Sequence, residues 1–247
     1  MAEFTIALAG KRIALDVLFD STREFCQEYL TEEPADFSVR VRGIDLQFEH
    51  EKSKQEAIAE GKTPQIYSPE YLETLAVYRK IAEKMLDYDT LLFHGSVISV
   101  DGEGYLFTAT SGTGKSTHTR FWRETFGERA FMVNDDKPLL RITEDRVLVY
   151  GTPWDGKHRL STNTVVPLKG LCILNRAEEN HIEPLPANEA MPMLLQQSHR
   201  PSNPAALAKL LMLLEKMTKQ TGLYTLGCNL NPEAAMVAYN GMNRKDN

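Results

Sequence analysis

Cysteine is scarce in this 247-residue chain, which has three: Cys26, Cys172 and Cys228. An odd number at such wide spacing makes neither a disulfide framework nor a metal-type pair. That excludes the small stapled secreted scaffolds and fits a reducing compartment, the cytoplasm. Long apolar runs are lacking as well. No stretch approaches 18 residues, and no basic N-terminal segment with an apolar centre marks export, so no membrane partner is expected. Positive charge is in deficit: 28 Lys and Arg against 34 Asp and Glu leave a net charge of −6. That sign argues against a general nucleic-acid or anionic-membrane surface, so each basic residue has to be judged by its neighbours. Repeats, low-complexity tracts and a Pro/Gly-rich linker are also missing. What remains is 42% hydrophobic, enough to bury a real core in one large domain or one with an appended subdomain.

Residues 1–88 read as a small N-terminal α+β subdomain. Glu3–Leu8 and Lys11–Asp16 suit a hairpin around Ala9-Gly10, and Ser21 with Glu24 suggests a capping box opening a helix through Leu30. Phe37–Arg42 and Ile44–Glu49 alternate apolar and polar on either side of Gly43, which predicts a second hairpin. Glu51–Pro64 fits either a frayed helix or a loop. Ser68-Pro69-Glu70 then opens a long amphipathic helix to about Leu86.

Residues 89–247 have a different texture. Leu92–Val100 and Gly104–Thr108 read as strands joined by the tight turn Asp101-Gly-Glu-Gly104. Further strands are expected at Ala130–Val133, Pro138–Ile142, Arg146–Tyr150, Val165–Leu174 and Gly222–Leu226, with helices at Ala187–Gln197, Pro204–Thr218 and Pro232–Tyr239. Hairpins on both sides of a glycine-rich loop do not suit a plain doubly wound sheet, whose crossovers are helical. The expected class is therefore α/β with a mixed sheet.

That loop is the most informative segment. Tyr105–Thr108 enters Ala109-Thr110-Ser111-Gly112-Thr113-Gly114-Lys115-Ser116-Thr117, and a helix is expected from Ser116. The pattern is that of a phosphate-cradling P-loop with Ala at its first position. Gly112 and Gly114 let backbone N–H groups turn inward around an anion, Lys115 reaches outer phosphates, and Ser116 can hold Mg²⁺. Ser111 to Thr117 are thus the candidate nucleotide-binding residues. About twenty residues on, Asn134-Asp135-Asp136 follows the apolar run Phe131–Val133. Phosphoryl transfer needs a carboxylate at a strand end for the metal shell, and a kinase needs one to accept the hydroxyl proton.

Phe93-His94-Gly95, the Gly-containing hairpin, Ser111–Ser116 and Asp135-Asp136, in that order, resemble the catalytic domain of HPr kinase/phosphorylase. The loop also looks like that of phosphoenolpyruvate carboxykinase, whose nucleotide-binding core is related. The resemblance covers roughly residues 90–175. It implies a curved mixed sheet, ATP and Mg²⁺ as cofactors, an oligomer, and site roles. His94 matches the active-site histidine, Lys115 the phosphate-binding lysine and Ser116 the metal-side hydroxyl. Asp135 matches the proton acceptor and Asp136 a metal-shell group.

Departures from that family accompany the match. Its N-terminal regulatory domain has no counterpart here, nor has its later glycine-rich stretch with a metal-binding Glu. In that place stands Gly151-Thr-Pro-Trp-Asp-Gly-Lys-His-Arg159. Lys157 and Arg159 are candidates to grip an acidic acceptor, and Asp155 to replace the missing carboxylate. An Asp155-Gly156 hairpin turn with solvated charges is the plain alternative. The preferred reading is a kinase that moves the γ-phosphoryl of ATP to the hydroxyl of a protein serine or small molecule. A nucleotide-sensing module and a simple ATP hydrolase are its rivals.

Overall fold

The computed structural model describes residues 2–59, 61–110 and 112–244, and the chain divides into two compact units, Met1–Lys84 and Met85–Asn247. In the first, β1 (Ala2–Leu8) and β2 (Lys11–Val17) form the expected hairpin, with Ala9 and Gly10 both at positive φ. A short helix α1 (Asp20–Phe25) follows. Ser21 lies inside it and Phe19 is the cap residue, so the expected capping box is not formed. The chain leaves the helix early, passing through one 3-10 turn into β3 (Leu30–Thr31), which pairs with β1.

The predicted second hairpin is corrected. Strand β4 (Phe37–Arg40) runs parallel to β2, and Ile44–Glu49 belongs to the helix α2 (Gly43–Ala59). The alternation Ile-Asp-Leu-Gln-Phe-Glu has period 2, but Asp45 and Glu49 are one helical turn apart. Both carboxylates meet Arg79, and Asp45 also meets Lys80, on the helix α3 (Pro69–Met85). Asp45 in addition accepts the Arg42 N–H at 2.9 Å, the return half of a capping box. Tertiary ion pairing and this cap outweigh a weak strand pattern. Inside the unit, Glu73 is fully buried, with its carboxylate accepting from the N–H groups of Leu18 and Phe19 and from the Thr22 hydroxyl.

The second unit is built on one strongly curved mixed sheet. Its strands are β5 (Thr90–Leu92), β6 (Ser96–Val100), β7 (Glu103–Thr108), β8 (Ala130–Asn134), β9 (Leu139–Ile142), β10 (Val147–Tyr150), β11 (Val165–Arg176), β12 (His181–Pro184) and β13 (Gly222–Cys228). The path runs β5-β9-β10-β11-β7-β6-β8, with β13 on β11 and β12 on β13. Strand β11 is the spine. Its first residues pair antiparallel with β10, while Leu168 onward lies between β7 and β13, parallel to both. One strand thus serves two directions of the sheet, and the sheet curls around that change.

Leu92–Val100 is not one strand, as the sequence suggested. It breaks at His94-Gly95, where the chain passes from pairing with β9 to pairing with β7 and β8, and Gly95 is so close to Phe107 that a Cβ would stand 2.9 Å from its carbonyl oxygen. The hairpin turn itself is confined to Asp101 and Gly102, both at positive φ, as a two-residue type I′ turn requires. Strand β12 was not foreseen.

Helices α4 (Lys115–Phe126) and α7 (Glu233–Met242) cover one face, where Tyr105, Phe107, Trp122 and Phe126 are buried. Helices α5 (Ala187–Gln197) and α6 (Pro204–Gln220) cover the other, over Leu106, Leu171 and Ile173. Side chains alternate between the faces along β7, so Leu106 points to one helix pair and Phe107 to the other. Among the described residues, no helix is long and apolar enough to cross a membrane.

Candidate active site

Strand β7 carries the chain from the middle of the sheet into the glycine-rich turn. Gly112 and Gly114 have φ of 80° and 118°, values that L side chains avoid. Gly114 is the cap residue of α4, so Lys115, Ser116 and Thr117 form its first turn, where N–H groups lack partners inside the helix. Ser111 lies outside the described residues. Thr113 closes back on Thr110, its N–H 3.3 Å and its hydroxyl 2.9 Å from the Thr110 carbonyl oxygen. From the neighbouring strand, Arg176 Nη2 donates to the Gly112 carbonyl at 2.8 Å.

The acids enter from β8, two strands away. Asn134 at its end is fully buried and turns the chain: its Oδ1 accepts the N–H groups of Asp136 (2.9 Å) and Lys137 (2.7 Å). Its Nδ2 donates to the carbonyl and the hydroxyl of Thr152, both at 3.0 Å. Asp135 then meets Ser96, whose Oγ is 3.0 Å from Oδ1, and Ser116, whose Oγ is 3.5 Å from Oδ2. Asp136 faces His94 instead, with Oδ1 3.3 Å from Nε2. The Asp136 carbonyl accepts the Gly95 N–H at 2.9 Å, while His94 is tethered through its own N–H to the Gln197 carbonyl at 2.7 Å. His94 therefore sits in the break between β5 and β6 and is partly exposed, rather than lying on an apolar strand.

Electrostatics separate the two acids. Burial raises Asp135 above the ordinary carboxylate range, helped by the charge of Asp136 and opposed by Ser96, His158 and Arg123. Burial acts on Asp136 in the same direction. There the His94 hydrogen bond and the charges of Lys137, His94 and Lys115 outweigh it, and the group is held below its usual value. Burial lowers Lys115, against the pull of Asp136 and Asp135. Lys115 thus lies within electrostatic range of both carboxylates.

Residues 151–164 join the antiparallel neighbours β10 and β11, and pack on the acid turn. The Thr162 N–H donates to the Val133 carbonyl, and Gly151 lies so close that a Cβ would be 1.9 Å from the Thr162 oxygen and 2.7 Å from that of Val133. Gly151→Ala should cost about 3 kcal/mol, the upper end for overpacking, read as a lower denaturation midpoint at unchanged slope. A cost below about 0.5 kcal/mol, the size of a neutral surface change, would show that the loop is not locked there.

Asp155 is buried, but its carboxylate is taken by Ser161 (2.9 Å) and Arg159 (3.4 Å). No observed contact joins it to Ser116, Asp135 or Asp136. The next residue does approach them: a Cβ on Gly156, at φ 75°, would be 3.3 Å from that of Asp136. Lys157, His158 and Arg159 are exposed beyond it.

The structure therefore brings together His94, Lys115, Ser116, Asp135 and Asp136, and it places the Lys157–Arg159 tip beside them. Sequence reasoning missed Ser96, His158 and Arg176, all of which lie at or against this group. For Ser96 the signal was available, two residues past His94. For Arg176 none was, since its role depends on the pairing of β11 with β7. His118 is buried against Phe107, accepts from Trp122 Nε1 at 3.0 Å and is pushed down to about 4 by burial.

Among the described residues, no group of three or more His, Cys, Asp and Glu side chains is placed to hold a metal. A divalent cation here would depend on the Ser116 hydroxyl, a carboxylate and oxygens brought by a ligand. Such an all-oxygen set suits Mg²⁺.

The model of the family described as "SynChlorMet cassette protein ScmC" matches residues 68–221, more than half of the chain. No curated protein matches. Among solved structures, the Hpr(Ser) kinase/phosphatase from Coxiella burnetii matches with 10% identity and a TM-score of 0.33, over 60% of this chain and 94% of that one.

Proposed function

We propose that this chain, which belongs to the family of the SynChlorMet cassette protein ScmC, is an ATP- and Mg²⁺-dependent kinase acting on a hydroxyl. One observation carries the reading. The glycine turn sets the start of α4 and Lys115 opposite two carboxylates of unequal environment, one of them paired with a histidine. Anion-holding amides facing a metal-side acid and a proton-accepting acid are what phosphoryl transfer requires.

The geometry supports exchanging the roles expected of the two acids. Asp135 lies on the Ser116 hydroxyl, so these two form the metal side. Mg²⁺ held there would offset charge on the phosphate oxygens. Asp136 faces His94 and stands away from the Ser116 hydroxyl, which leaves it as the proton acceptor. In the reaction the acceptor oxygen forms a bond to the γ-phosphorus, the bond to the bridging oxygen breaks, and ADP leaves. The acceptor proton passes to Asp136. A group below its usual pKa suffices, because proton transfer is late when the transition state is loose. Lys115 and the first-turn N–H groups of α4 hold the transferring group in line. Lys157 and Arg159, at the tip of the loop braced by Asp155, orient an acidic acceptor.

Incubation with γ-labelled ATP and a fractionated cytosolic extract tests this. Labelled product in one fraction is expected. Release of inorganic phosphate alone would indicate a hydrolase, and tight ATP binding without movement of label would indicate a sensor.

A further inference from the structure

The glycine turn has two flanks, and the acids occupy only one. On the β6 side stand His94, Asp135 and Asp136. On the other side β11 runs parallel to β7, with Ile173 opposite Thr108, and continues to Arg176 after β7 has ended. There a depression of about 370 Å³ is lined by Thr110, Gly112, Thr113, Leu174, Asn175 and Arg176. We infer that this depression is the nucleoside half of the donor site. The polyphosphate then runs from the Arg176 flank across the turn toward Asp135 and Asp136. The inference rests on the donor reading above, and adds where the nucleoside of that donor is held.

Three observations converge on it. The first is topological. The chain leaves β7 for α4, while β11 runs on past the end of β7 to Arg176 and then turns into β12, which pairs with β13. The depression thus lies at the carboxyl ends of two neighbouring parallel strands, the usual ligand side of an α/β sheet. The second is size. The depression, about 370 Å³ and open to solvent, leaves room beside the turn for more than a phosphate chain.

The third is chemistry. Arg176 spends one donor on the Gly112 carbonyl at 2.8 Å, which fixes its guanidinium at the rim. The planar group keeps further N–H donors and a face on which a base can stack. Asn175 Nδ2 is committed to the Thr225 hydroxyl at 2.9 Å, leaving its Oδ1 as an acceptor for a ribose hydroxyl or a base amino group. The hydroxyls of Thr110 and Thr113, 3.0 Å apart, complete a polar wall.

Calorimetry on the full chain, with Mg-ATP and with Mg-tripolyphosphate as probes, tests the assignment. The wild type should bind ATP about tenfold or more tighter than tripolyphosphate. In R176A and in N175A that preference should disappear while tripolyphosphate affinity stays within about twofold, a change of no more than about 0.4 kcal/mol. Equal wild-type affinities would overturn the inference and leave the donor reading standing. So would an R176A variant that loses both ligands alike, since the arginine would then only brace the turn. If neither ligand binds the wild type at millimolar concentration, the donor reading fails and this inference with it. Photolabelling with 8-azido-ATP gives an independent readout: the tag is expected on the peptide carrying residues 174–176, and a tag on residues 154–161 would place the base on the wrong flank.

Discussion

Asp136→Asn is expected to stop phosphoryl transfer while sparing Mg-ATP affinity, and Asp135→Asn to do the opposite. Asp136 faces His94, and Asp135 faces the Ser116 hydroxyl. Removing a general base lowers kcat by about 10²–10⁴-fold, so transfer in the Asp136 variant should fall within that range. Asn keeps the size of the side chain and an acceptor oxygen, so the turn after Asn134 should survive. For Asp135→Asn the loss should appear first in metal-dependent binding, as a higher Mg²⁺ concentration for half-saturation. The measurement is single-turnover transfer beside equilibrium titration of Mg-ATP. If the Asp135 variant binds normally and fails to transfer, the acids have the order that sequence resemblance implied, and the geometric assignment is wrong.

Lys115→Ala should lower turnover by about 10²–10³-fold, the usual cost of deleting one preorganised donor to developing charge. The reason goes beyond a lost contact. Lys115 is partly buried and lies within range of two carboxylates. Without its charge, Asp135 and Asp136 would face an incoming polyphosphate uncompensated. Affinity for Mg-ATP should therefore drop together with kcat, and the ATP-binding loss should deepen as ionic strength is reduced, because like-charge repulsion is screened by salt. A variant with unchanged turnover would take Lys115 out of the phosphate path.

Much of the site was legible because it depends on local rules. Gly112 and Gly114 stand where the backbone takes positive φ, as the spacing indicated, and the helix starts at Lys115, one residue before the expected Ser116. The acid pair at the end of β8 could be read from an apolar run followed by Asn-Asp-Asp. The division of labour between the acids could not. The proposed division rests on Ser96 and His94, which lie about forty residues earlier and meet the acids through long-range contacts that include the pairing of β6 with β8. Long-range pairing also decided the first unit's failures. Ile44–Glu49 satisfies a strand pattern and a helix pattern equally, and the choice fell to Arg79 and Lys80, some thirty-five residues away. His94 was misplaced for a smaller reason. Phe93-His94-Gly95 looked like ordinary strand residues, yet the chain changes its strand partners there, from β9 to β7 and β8.

The lacing of residues 151–162 onto the end of β8 has a mechanical consequence. Asn134 grips Thr152, Thr162 grips both Met132 and Val133, and Gly151 leaves no slack between them. The Asp136 carboxylate and the cationic fingertip beyond Gly156 therefore belong to one jaw, and they cannot be retuned separately by small shifts of the loop's base. On the proposed kinase reading, a change of acceptor preference would have to come from replacing side chains at the tip, with the jaw left in place.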